Sequence, residues 1–155
     1  MAKKISFCIL FYFWIGCGAS KSKFIRLKKE STEQASLYLL RPSRIPLAFW
    51  KQKISVFKYA GTFQNSAPFF YAEVVLGDGE YIQMNLEEGY YRLNSRDAEK
   101  ILFLGKNKTY FVDYFLFNES FFAFPELHFK ELNKEAAIEF LIDSSHMDRH
   151  ENSTD

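Results

Sequence analysis

The chain is predicted to be mainly β: an antiparallel β-sandwich, Ig/transthyretin-like, with one short C-terminal helix. The architecture left open beside it is a small, partly open β-barrel. Three observations carry this expectation. Apolar residues alternate with polar ones over short runs, as in "EYIQMNL" (80–86), the period of a half-buried strand. Turn signals such as Gly77-Asp78-Gly79 and "GKNK" (105–108) recur at short intervals, which suits many short strands. Only "KEAAIEFLI" (134–142) shows a helical stripe.

Residues 1–16 read as a secretory signal. Lys3 and Lys4 precede the apolar run "ISFCILFYFWI" (5–15), about half of the ~20 residues a spanning helix needs. Rings crowd every side of this run, so a buried amphipathic helix is disfavoured. The small residue Gly16 directly before Cys17 is the pattern of a lipobox, although Trp14 stands where Leu is usual. Acylation of the Cys17 thiol and of the freed amine supplies the two or more chains that anchor stably. The other cysteine, Cys8, lies in the removed piece. The exported domain then has no disulfide and folds on its core alone. Plain secretion is the alternative.

Residues 17–34 follow as a lipidated cysteine and basic tether. Residues 21–58 hold ten Lys/Arg against two Glu, and residues 59–155 hold eight against seventeen Asp/Glu. The tether suits an anionic headgroup surface, where each cation is worth ~1 kcal/mol. The net charge of +1 and an exported location exclude a nucleic-acid binder. The sequons at Asn107, Asn118 and Asn152 are taken as chance in a bacterial chain.

The domain is expected over 35–142. "SLYLLRP" is a first strand, closed by Arg41-Pro42, since the residue before proline is extended. "KISVFKY" (53–59) alternates, with Ile54, Val56 and Lys58 on one side and Ser55, Phe57 and Tyr59 on the other. Residues 61–66 are a loop and "FFYAEVVL" a strand, ended by the tight turn Gly77-Asp78-Gly79. Ile82, Met84 and Leu86 then face the core, Glu87-Glu88-Gly89 reverses the chain, and Tyr91 and Leu93 carry the buried face back. "KILFLG" is a strand. "TYFVDYFLF" (109–117) is long and apolar, so it is central, with Tyr110, Val112, Tyr114 and Leu116 on one face. Asp113 interrupts it and is expected at an edge or in solvent. "ELHFKEL" is the last strand. Asn133 suits an N-cap, with Glu135 and Glu139 in the early turns. The helix is expected to cover an open end of the sheet. Residues 143–155 bury almost nothing and read as a disordered tail.

"ASLYLLRPSR", "VLGDGEYIQMNLEEGYYRL" and "LGKNKTYFVDYFLF" together resemble the opening strand, the glycine-turn hairpin and the aromatic strand of an uncharacterised bacterial lipoprotein family, domain of unknown function 2846. The resemblance spans about residues 35–142. It implies a sandwich-like envelope domain and no known reaction, so no functional residues follow from it.

Catalytic chemistry finds little support. The histidines are His128, His146 and His150. Two stand in the tail, and a nucleophile needs a base within hydrogen-bond reach. His146 and His150 share a helical i, i+4 spacing but lack a third ligand and a scaffold. No cofactor and no metal are expected. Aromatic residues make up 19% of the chain, more than a small core readily hides. An exposed aromatic patch marks an interface. Phe121, Phe122, Phe124 and Trp50 are the candidate partner-binding residues, with Phe69 and Phe70 as additions. The expected function is that of a membrane-anchored bacterial envelope lipoprotein with a non-catalytic binding or structural β-domain, any partner being a protein or an envelope component. The competing reading is a secreted hydrolase using a carboxylate such as Asp113.

Overall fold

The computed structural model describes residues 22–24, 26–27, 33–43, 50–117, 126–143 and 147–149. The signal segment 1–16, Cys17, Phe121, Phe122, Phe124, His146 and His150 lie outside the described residues.

Strands follow the alternation. They are β1 (Ser22–Lys23), β2 (Ala35–Arg41), β3 (Gln52–Tyr59), β4 (Pro68–Leu76), β5 (Glu80–Leu86), β6 (Gly89–Ser95), β7 (Ala98–Leu104), β8 (Thr109–Phe117), β9 (Glu126–Leu132) and β10 (Asp148–Arg149), with helix α1 (Lys134–Asp143) between β9 and β10. One sheet has the order β1-β10-β5-β2-β8-β9, the other β4-β3-β6-β7. Most pairings are antiparallel; β2–β8 and β10–β5 are parallel. The two sheets stay separate, so the molecule is a sandwich and the barrel is excluded. An immunoglobulin sheet pairs its first and second strands. Here β2 and β3 lie in different sheets.

The main core lies between the sheets. Leu37 and Leu39 of β2, Ile82 and Leu86 of β5, and Val112 and Tyr114 of β8 meet Ile54, Val56, Val74, Leu76, Tyr91 and Leu93 from the other sheet. The inward positions expected for β5 and β6 are the ones observed. Met84 and Tyr110 pack against this core part-buried.

A second core sits on the outer face of the six-stranded sheet. There Tyr38, Leu40, Tyr81 and Phe111 pack under Ala137, Leu141 and Met147, with Phe24 and Leu27 beside them. Helix α1 therefore covers a sheet face rather than an open end. It starts where expected: Asn133 Oδ1 accepts the Ala136 N–H at 2.8 Å. With both faces covered, β2 is buried along all of its length, as a central strand must be. Asp113 is buried too, on the helix side of β8. The expectation of an edge or solvent position is thus overturned, because β8 lies between β2 and β9 and its outer face is roofed.

Two further differences follow from the layering. The turn Gly77–Gly79 joins β4 to β5 across the sheets, and Glu87-Glu88 joins β5 to β6 in the same way. Neither is a hairpin. At the chain ends, Met147 is buried and β10 bonds to β5, while β1 bonds to β10. At these described residues the tether and the tail are parts of the packed domain.

Candidate functional site

Among the described residues, chain packs over one broad surface of the sandwich and not over the other. The outer face of the four-stranded sheet carries the side chains that alternate away from Val56, Tyr91, Leu93 and Leu102. Across it the register aligns Phe70, Phe57, Arg92 and Ile101 in one row. Tyr90 and Phe103 stand opposite one another in the next row, nearer one end. Phe63, from the loop before β4, meets Tyr90 edge-on, with ring centroids 5.5 Å apart. Tyr90 and Phe103 tilt together at 4.9 Å. Phe57 receives the edge of Phe70 at 5.9 Å. The Arg92 guanidinium lies over the other side of the row, 4.7 Å from the Phe57 ring centre.

Much of this aromatic surface faces solvent: Phe70 is 59% exposed, Phe103 45% and Phe63 42%. The other half of the face is polar. Ser55 and Asn94 are register partners, and Lys53 pairs with Glu73 at 2.9 Å. Arg92 Nη1 lies 3.8 Å from Glu99. Arg92 Nε is buried and has no hydrogen-bond partner among the described residues.

A register shift explains how β4 divides its rings. The pairing jumps between Val56 and Phe57, so Tyr71 is an extra residue of β4. Such a bulge re-aims side chains. Tyr71 turns edge-on to Tyr91 of the core, 5.8 Å away. Phe70 stays on the outer face, and Phe69, opposite Lys58, takes the other side.

Of the expected binding residues, Phe70 is on this face. Trp50 is 60% exposed but precedes β3, at the end of that strand remote from Phe57. Phe121, Phe122 and Phe124 lie outside the described residues. Phe57, Phe63, Tyr90, Arg92 and Phe103 are not among the expected binding residues. The outward alternation of Phe57 was visible in "KISVFKY", but nothing local says that β6 and β7 bring Tyr90 and Phe103 alongside.

Several other buried polar groups have structural partners. Arg41 Nη1 donates to Trp50 O at 2.7 Å and to Leu76 O at 2.8 Å. Burial lowers its pKa, and Asp78, Tyr114 and Glu80 work against that shift. Glu80 accepts the Gly77 N–H at 2.7 Å. The Tyr114 hydroxyl meets Ser95 Oγ at 2.8 Å, and Ser95 donates to Lys53 O. Desolvation raises the pKa of Tyr114, Tyr91 and Tyr81.

A groove of about 620 Å³ runs between the β7 and β9 edges, lined by Arg96, Asp97, Glu99, Glu126 and His128 among others. Asp113 and Glu80, the buried acids, do not line it. His128 Nε2 is 3.5 Å from Glu126 Oε2, on exposed side chains. Among the described residues no three His, Cys, Asp or Glu side chains cluster for a metal, and no helix is long and apolar enough to cross a membrane. No family model, curated protein or solved structure matches the chain.

Proposed function

We propose that the protein is a bacterial envelope lipoprotein, anchored through Cys17, whose sandwich is a non-catalytic binding module. The anchor reading rests on the short apolar start and the Gly16-Cys17 pair. It places the domain on an envelope membrane, either the outer membrane or the periplasmic side. The binding reading rests on one observation above all. The six-stranded sheet roofs its outer face with α1, Met147, Phe24 and Leu27, whereas the four-stranded sheet leaves Phe63, Phe70 and Phe103 in solvent. A chain that covers one apolar face and leaves another open retains a surface for a partner.

Two measurements test the two halves. The intact mass of native protein is expected to exceed the polypeptide by a lipid, and Cys17→Ala is expected to abolish that excess; a bare or missing Cys17 would remove the anchor from the account. The double variant Phe70→Ser/Phe103→Ser is expected to fold normally, because both rings are largely exposed, and to lose co-sedimentation with delipidated envelope material. Unchanged co-sedimentation would remove the face.

A further inference from the structure

We infer that the aromatic face takes an uncharged polysaccharide chain, an inference that rests on the face being a binding surface. Size is the first argument. At ~200 Å² per ring, the exposed fractions of Phe63, Phe70 and Phe103 leave about 300 Å² of apolar surface. That is in the range of functional patches. It falls short of about 450 Å², the apolar share of the surface that each partner contributes to a stable protein interface. A second copy of this chain, or a globular protein, is therefore not held by this patch alone.

Charge is the second argument. The cations near the face are matched by neighbouring acids: Lys53 by Glu73 and Arg92 by Glu99. A neutral surface gives no long-range attraction to anionic lipid or to nucleic acid, both of which need uncompensated cations.

Pattern is the third. The face is aromatic in one half and hydrogen-bonding in the other, with Arg92 at the boundary. A sugar ring has the complementary division, with a C–H face and a rim of hydroxyls. The rings of Phe70, Tyr90 and Phe103 take C–H faces, and rings carry this area at low entropic cost. Asn94, Ser55 and the guanidinium take hydroxyls. Rows two residues apart, ~6.6 Å along the strand, let successive sugar units engage successive rows, so a chain binds better than a single unit.

The test titrates the full chain, in detergent micelles, with chitotetraose, cellotetraose and their monosaccharides, read by calorimetry, with light scattering for its oligomeric state. At least one tetraose is expected to bind, at least tenfold tighter than its monosaccharide. Phe70→Ala and Phe103→Ala are each expected to weaken it about tenfold. Phe117→Ala removes a ring that is equally exposed, at 47%, but on the other sheet, and is expected to change nothing. Absence of tetraose binding at millimolar concentration overturns the inference, as does binding indifferent to Phe70 and Phe103. A dimer dissolved by those two substitutions also overturns it while leaving the binding-face reading intact. If neither sugar binding nor oligomeric state responds to them, and envelope co-sedimentation does not either, both readings fall.

Discussion

Arg41 shows how a single residue can acquire its role from distant chain. Its guanidinium is buried and donates to carbonyls 9 and 35 residues away, at Trp50 and Leu76. Arg41→Met is expected to cost about 3 kcal/mol in urea unfolding, because a buried carbonyl at Leu76 and a part-buried one at Trp50 lose a charged donor and nearby acids lose a counter-charge. In the sequence only the extended exit before Pro42 was legible; the partners of the side chain are set by pairing, which local spacing does not encode. Asp113 fails to read for a related reason, since a carboxylate in an apolar strand is ordinarily solvated, and local spacing does not show that β8 is an inner strand on which that position is buried. The tyrosines give a pH prediction. Desolvation raises Tyr81, Tyr91 and Tyr114 above the ordinary phenol value. The unfolded chain then releases these protons first as pH rises. Their contribution is complete below ~10 and is lost as pH climbs through the higher folded values. Urea midpoints measured from pH 8 to 11 are expected to fall at the alkaline end. Tyr114→Phe is expected to fall less steeply there, after losing about 1 kcal/mol at neutral pH with the Ser95 hydrogen bond.

At the scale of elements, strand positions and inward residues were legible and connections were not. Period two identifies Ile82, Met84 and Leu86 whatever strand lies beside them. A three-residue turn, by contrast, is short enough for a hairpin and also for a step from one sheet to the other. What turns the chain between sheets at Gly77–Gly79 is partly chemical. Gly79 has φ +68°, a region glycine occupies freely. The Glu80 carboxylate reaches back to the Gly77 N–H and sits where a Gly77 side chain would be, with Oε2 3.0 Å from an added Cβ. The helix presents the same division. Its start at Asn133 could be read directly, but the stripe expected on Ala136 and Phe140, with Ala137 and Leu141 beside them, is centred on Ala137 and Leu141, because the face it covers depends on where β2, β5 and β8 meet. Helix docking is therefore separable into two costs. Asn133→Ala removes the acceptor for the Ala136 N–H and is expected to lower stability by about 1 kcal/mol. Leu141→Ala empties a site that is 3% exposed and is expected to lower it by about 2–4 kcal/mol. Denaturant midpoints of the two variants check the order.

For the whole molecule, the two chain ends close the second core together. β1 bonds only to β10 in the sheet order, and β10 bonds to the start of β5. Phe24 sets its ring edge-on to Tyr81 at 6.0 Å. Met147, buried in the same cluster, thus supports an N-terminal segment more than 120 residues earlier in the chain. Composition hid this, because "SKSKFIRLKK" and "DSSHMDRHENSTD" each look too polar to pack, and the few apolar residues in them matter only once they share a surface. If Cys17 carries an anchor, four residues stand between it and Ser22, and the five Cα steps span at most ~18 Å. The clasp would then set how closely the sandwich is held to the membrane. Met147→Asp places an unpaired charge in the second core and is expected to release β10 and with it β1, while the main core between the sheets, which Met147 does not touch, keeps the sandwich folded. Limited trypsin digestion at native pH is expected to cut after Lys23 and Arg26 at least tenfold faster in this variant, with the domain from residue 33 onward surviving. Equal cutting rates would show that the N-terminal segment holds its place without the C-terminal one, and the leash would then be longer than the clasp makes it.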